Sequence, residues 1–80
     1  MKLYLLSQEE NTDYDTFDSF VVCAESEADA RTINPDNTVF NPERDSGAWT
    51  ANASAITCEE IGVANENQKR GVILSSFNAG

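Results

Sequence analysis

Apolar residues in this chain fall in short runs, not at helical spacing. Residues 2–7, KLYLLS, form a run of strand length. Residues 8–16, QEENTDYDT, are polar and acidic and read as a loop. Residues 17–24, FDSFVVCA, are aromatic and β-branched and predict a second strand. Phe20, Val22 and Ala24 would share one face, with Val21 and Cys23 on the other. Such a two-sided apolar run predicts a central strand covered on both faces.

Ser26-Glu27-Ala28-Asp29 sets an N-cap serine three residues before an acid, a capping box with Asp in the usual Glu position. Arg31 suits the last turn of the helix dipole, and Asn34-Pro35 ends the helix. The predicted helix spans 27–33 and docks through Ala30 and Ile33, being too short to stand alone. In residues 34–55 two small apolar islands, 38–40 and 48–50, predict a loose hairpin with loop 41–47. Residues 56–64 and 71–77 predict two further strands, joined as a hairpin through NENQKR. A helix over 57–69 competes with the first, but Gly62, Ile61 and Val63 count against it. The last three residues read as a frayed tail. The sum is one domain of 80 residues and an α+β fold, β-β-α-(β-β)-β-β. Its sheet is small and mostly antiparallel, with one short helix on one face.

Charge alters this picture. Fourteen Asp+Glu against five Lys+Arg give −9. That balance argues against direct nucleic-acid binding and against docking on an anionic membrane surface. With no His, Ser-His and Cys-His catalysis and His-ligated metal sites are excluded. Eight of the acids lie between Glu9 and Asp29, where there is no basic residue. Cys23 and Cys58 read as buried thiols in a reducing compartment, with a cross-strand disulfide as the alternative. No signal sequence or membrane span is apparent, so a soluble, intracellular protein is expected.

YLLSQ (4–8), YDTFDSFVV (14–22), AESEADARTINP (24–35) and RGVILSSFNAG (70–80) resemble a group of small proteins encoded in bacteriophages and prophages. The resemblance covers roughly half the chain and leaves 36–60 unmatched. It implies a setting, the cytoplasm of a bacterial host, and neither a mechanism nor functional residues.

The acidic segment offers several chemistries. Read as a calcium loop from Asn11, it places Thr16 where Gly is needed and Val22 where Glu is needed, so the EF-hand pattern fails. A non-EF cation site and a merely solvated loop are the alternatives to a protein-binding surface. Carboxylates at Asp13/Asp15 and Glu25/Glu27, two residues apart in extended chain, would sit ~6.6–6.8 Å apart and imitate phosphates. Glu59 and Glu60 are adjacent, hence on opposite faces of a strand, and cannot act as a catalytic pair. Trp49 is either a protruding anchor or a lid on the core.

The expectation is a protein that binds rather than catalyses and needs no cofactor or metal. It would modulate or inhibit a host nucleic-acid-handling or defence enzyme with a basic groove, by mimicking nucleic acid. The binding surface would hold Glu9, Glu10, Asp13, Asp15, Asp18, Glu25, Glu27, Asp29 and Trp49. The partner would be a host or phage protein, the chain itself a monomer or weak homodimer. The alternative is a structural or accessory domain that self-associates through a sheet edge.

Overall fold

The computed structural model describes residues 1–43 and 47–79. Four strands, β1 (Lys2–Ser7), β2 (Thr16–Ala24), β3 (Thr57–Val63) and β4 (Gly71–Asn78), form one antiparallel sheet in the order β3-β1-β2-β4. The α+β architecture and the four long strands stand as the sequence predicts.

In the central β1–β2 pair, Tyr4 faces Val22 and Leu6 faces Phe20. These four and Ala24 make a buried row on one face. Ala30, Ile33, Trp49 and Ile56 complete the core above it. The other face carries Leu3, Leu5 and Val21, each half-buried, and Cys23. The two-sided cover expected for β2 is therefore complete on one face only.

The last two strands do not form a hairpin. β3 pairs with β1 and β4 with β2, at opposite edges of the sheet. The central hairpin leaves two free edges, and each later strand takes one of them. The connector 64–70 therefore passes the whole sheet end, three strand spacings or ~14 Å. It is tied down on the way: the Ala64 amide donates to the Met1 carbonyl at 3.1 Å. Cys23 packs against Met1 and the Gln68 carbonyl, which explains its burial on the otherwise open face. Cys58 lies opposite Leu6 on the covered face. The two thiols are free, on opposite faces and on strands separated by β1, so the disulfide alternative fails. Burial pushes the Cys58 thiol pKa up.

The helix α1 is shorter than predicted, Glu27–Ala30, with Arg31 as its C-cap instead of a last-turn residue. Its start follows the capping signal: the Asp29 amide donates to Ser26 Oγ at 3.1 Å, and Asp29 Oδ2 accepts from the Glu25 amide at 3.0 Å. Its end comes early because the Thr32 hydroxyl takes the Asp29 carbonyl at 2.6 Å and Ile33 turns out to bridge Val39. That bridge is isolated: no strand forms at 38–40 or 48–50 among the described residues. Part of the expected 41–47 loop lies outside them. Asn34, Asp36 and Thr38 bond their own neighbourhood, which competes with a ladder. Residues Ala53–Ala55 form a short 3-10 turn capped by Asn52. Asn78, expected in a frayed tail, is the last residue of β4.

Candidate functional site

The densest run of unpaired negative charge lies in the β1–β2 loop and the start of β2. Its shape is set by Gln8, a buried amide at the end of β1. Gln8 Nε2 donates to the carbonyls of Asn11 and Phe17 at 2.7 and 2.9 Å. Gln8 Oε1 accepts from the amides of Glu10 and Asn11 at 2.9 and 2.7 Å. Both donors and both lone pairs of the side chain are thus used on the loop. Asp15 turns the chain back with a left-handed φ of 61°, a conformation Asp tolerates better than most residues. The Asp15 amide donates to the Asn78 carbonyl at 2.6 Å, and Asn78 Nδ2 donates to the Asp13 carbonyl at 3.3 Å. The loop is therefore pinned at both ends by residues of the sheet.

On this frame Glu9, Glu10, Asp13, Asp15 and Asp18 are all exposed. None is in an ion pair among the described residues. Glu10 accepts one hydrogen bond from Asn52 Nδ2 at 3.0 Å, and Asp18 one from the Ser19 hydroxyl at 3.2 Å. Between this loop and residues 47–52 lies an open cleft of about 740 Å³, lined by Glu10, Asn11, Asp13, Tyr14 and Asn52 among others. Asn11 Nδ2 closes its floor on the carbonyls of Gly47 and Trp49, each at 3.2 Å.

Trp49 is not a protruding anchor. It is 2% exposed and packs edge-on against Phe20, ring centroids 5.2 Å apart. The exposed aromatic here is Tyr14, at 76%. Sequence reasoning passed over it, although a tyrosine between two aspartates in a polar loop has no core to enter. Gln8 was passed over too, because a polar residue after a strand looks like the start of solvent.

The other predicted acids lie elsewhere. Glu25, Glu27 and Asp29 follow β2, whose nine residues separate them from the loop by ~30 Å. Two of them are neutralised. Glu27 Oε2 pairs with Arg31 at 3.3 Å, and Asp29 takes a bidentate Arg70 guanidinium at 2.7 Å. The hydrogen bond from Arg70 holds the Asp29 carboxyl below its ordinary range. The eight acids thus form two groups at opposite ends, not one surface. The phosphate-like spacing also fails: residues 13–15 are turned, and Glu27 is helical while Glu25 is not.

Among the described residues no group of three or more Cys, Asp or Glu side chains is arranged to hold a metal ion. No helix of the described residues is long and apolar enough to cross a membrane. No protein-family model, curated protein or solved structure matches this chain.

Proposed function

We propose that this chain acts by binding another protein, presenting its acidic β1–β2 loop to a basic surface. One observation carries the reading: five exposed carboxylates gathered on the β1–β2 loop and the start of β2, a segment that Gln8 and Asn78 hold in one shape, beside a cleft with an exposed tyrosine. A preorganised loop loses little entropy on binding, and its field steers a cationic partner. Exposed tyrosines are favoured anchors at such interfaces. The partner class this supports is a nucleic-acid-handling or defence enzyme with a basic groove. The charge would occupy that groove as a patch around a cleft, not as a phosphate-spaced row. The setting is the cytoplasm of a bacterial host, in keeping with the phage-type resemblance and with two unbridged thiols. The acids 25–29 and the Trp49 side chain are outside this surface.

The test compares the chain with an Asp13→Lys, Asp15→Lys, Asp18→Lys variant as immobilised bait in bacterial lysate at low and high salt. A nucleic-acid-handling protein retained by the first at low salt only, and not by the variant, supports the proposal. Equal retention by both ends it.

A further inference from the structure

The two edges of the sheet are guarded unequally. β3 carries Glu59 and Glu60, both exposed; each edge strand has a bulge, β3 opposite Leu3 and Tyr4 and β4 at Ile73 opposite Val21 and Val22. Charge is a usual device that keeps an edge from pairing, and it is charge that distinguishes the two edges. β4, GVILSSFN, has no charged residue and no proline over its eight positions. The Val72 amide is met by Asn37 Oδ1 at 3.0 Å. Beyond it, the backbone of residues 73–77 makes no hydrogen bond outside the β2 ladder among the described residues. Leu74 and Phe77 stand 69% and 48% exposed on this strand.

Charge at the two ends of β4 selects an occupant. Lys69, exposed and in no ion pair among the described residues, stands two positions before its first residue, while the Arg70 beside it is taken up by Asp29. At its other end Asn78 is bonded to Asp13 and Asp15. We infer that β4 is a pairing edge for a second copy of this chain, antiparallel about a two-fold axis near the middle of the strand. That alignment sets the Lys69 end of each copy beside the Asp13 end of the other, twice. A parallel alignment would set acidic end on acidic end. The two sheets become one of eight strands, with both helices on the same side. No like charges meet along β4 itself, although each copy carries −9. A single strand pair buries less than the ~1,200 Å² of stable interfaces, so the dimer is weak and dissociates on the order of 10⁻⁴ M. The inference does not rest on the basic partner proposed above.

The experiment is sedimentation equilibrium of the full chain from about 10 µM to about 1 mM, with circular dichroism confirming the fold of each variant. The wild type is expected to pass from monomer to dimer. Leu74→Lys weakens the dimer at least about tenfold, by putting a charge where two edges meet. Lys69→Glu weakens it too, and should leave the fold intact, because the Lys69 side chain is exposed and in no ion pair among the described residues. Mixing Lys69→Glu with Asp13→Lys restores the dimer, since both end contacts are then complementary. A strict monomer throughout overturns the inference. So does a dimer that both single variants leave unchanged.

Discussion

Arg70 grips Asp29 through two nitrogens, at 2.7 and 2.9 Å, across 41 residues of sequence. The same carboxylate accepts the Glu25 amide, and its own backbone N–H caps onto Ser26. One residue therefore joins the start of α1 to the connector that crosses the sheet end.

This pair makes an acid-sensitive lock. The folded pKa of Asp29 is below its ordinary 3.8, chiefly because Arg70 donates to it. A depressed carboxylate contributes its stability fully above the ordinary value and loses it as pH falls through the folded value. Asp29→Asn should therefore melt below the wild type near neutral pH, with the gap closing below about pH 3.8. Thermal melts at stepped pH check this. A gap that stays constant into acid would show that Arg70 does not set the titration. Ser26→Ala, which removes only the cap, should cost about 1 kcal/mol at every pH.

Gln8 should control the acidic loop without contributing charge. Gln8→Leu keeps the size but strands two amides and two carbonyls, and should cost about 2–4 kcal/mol. Hydrogen exchange at the Glu10 and Asn11 amides should speed up more than exchange in β1. If the loop binds through its held shape, this neutral substitution also weakens capture of the basic partner. Capture unaffected by a loosened loop would mean that charge alone is recognised.

Trp49 and Tyr14 should separate cleanly. Trp49 packs on Phe20 in the core, so Trp49→Ala should cost about 3–5 kcal/mol. A chain of 80 residues has a net stability of order 4–12 kcal/mol, so that variant is marginal. Tyr14→Ala should change stability by less than about 0.5 kcal/mol. Urea unfolding followed by circular dichroism measures both. Tryptophan emission of the wild type should be blue-shifted and shift red only on unfolding.

What the sequence discloses here is what neighbours in the chain decide. Ser26 and Asp29 lie three apart, and their capping bond forms as their spacing predicts. The alternation of Phe20, Val22 and Ala24 likewise forecasts the buried row. A polar six-residue connector looks the same whether it turns back or crosses, so the sequence predicts a hairpin where the fold sends β3 and β4 to opposite edges. Which edge is free depends on the β1–β2 pair, formed fifty residues away. The acidic surface is smaller than its sequence density suggests for a related reason. Charge density along a chain counts Asp29 with Asp13, while the fold puts β2 between them and hands Asp29 to Arg70. Gln8 carries no local cue at all, since its four bonds exist only after the loop closes.

The junction before β4 rests on two residues with left-handed backbone. Gly71 has φ +138°, and a Cβ there would stand 3.0 Å from Asn37 Oδ1. Asn37 has φ 71° and accepts the Val72 amide through that oxygen. Gly71→Ala therefore meets both backbone strain and the Asn37 amide, and should cost about 1–3 kcal/mol. At Asn37 conformation and hydrogen bonding can be told apart. Asn37→Gly keeps the φ and loses the acceptor, so it should cost about 1 kcal/mol. Asn37→Ala loses both and should cost about 1 kcal/mol more, since alanine pays for a positive φ. Urea unfolding of the three variants gives the order. If Asn37→Gly matched the wild type, the bond to Val72 would contribute nothing and Asn37 would serve only to turn the chain. If glycine and alanine cost the same, the bond would carry the whole effect and the turn would be indifferent to the residue that makes it.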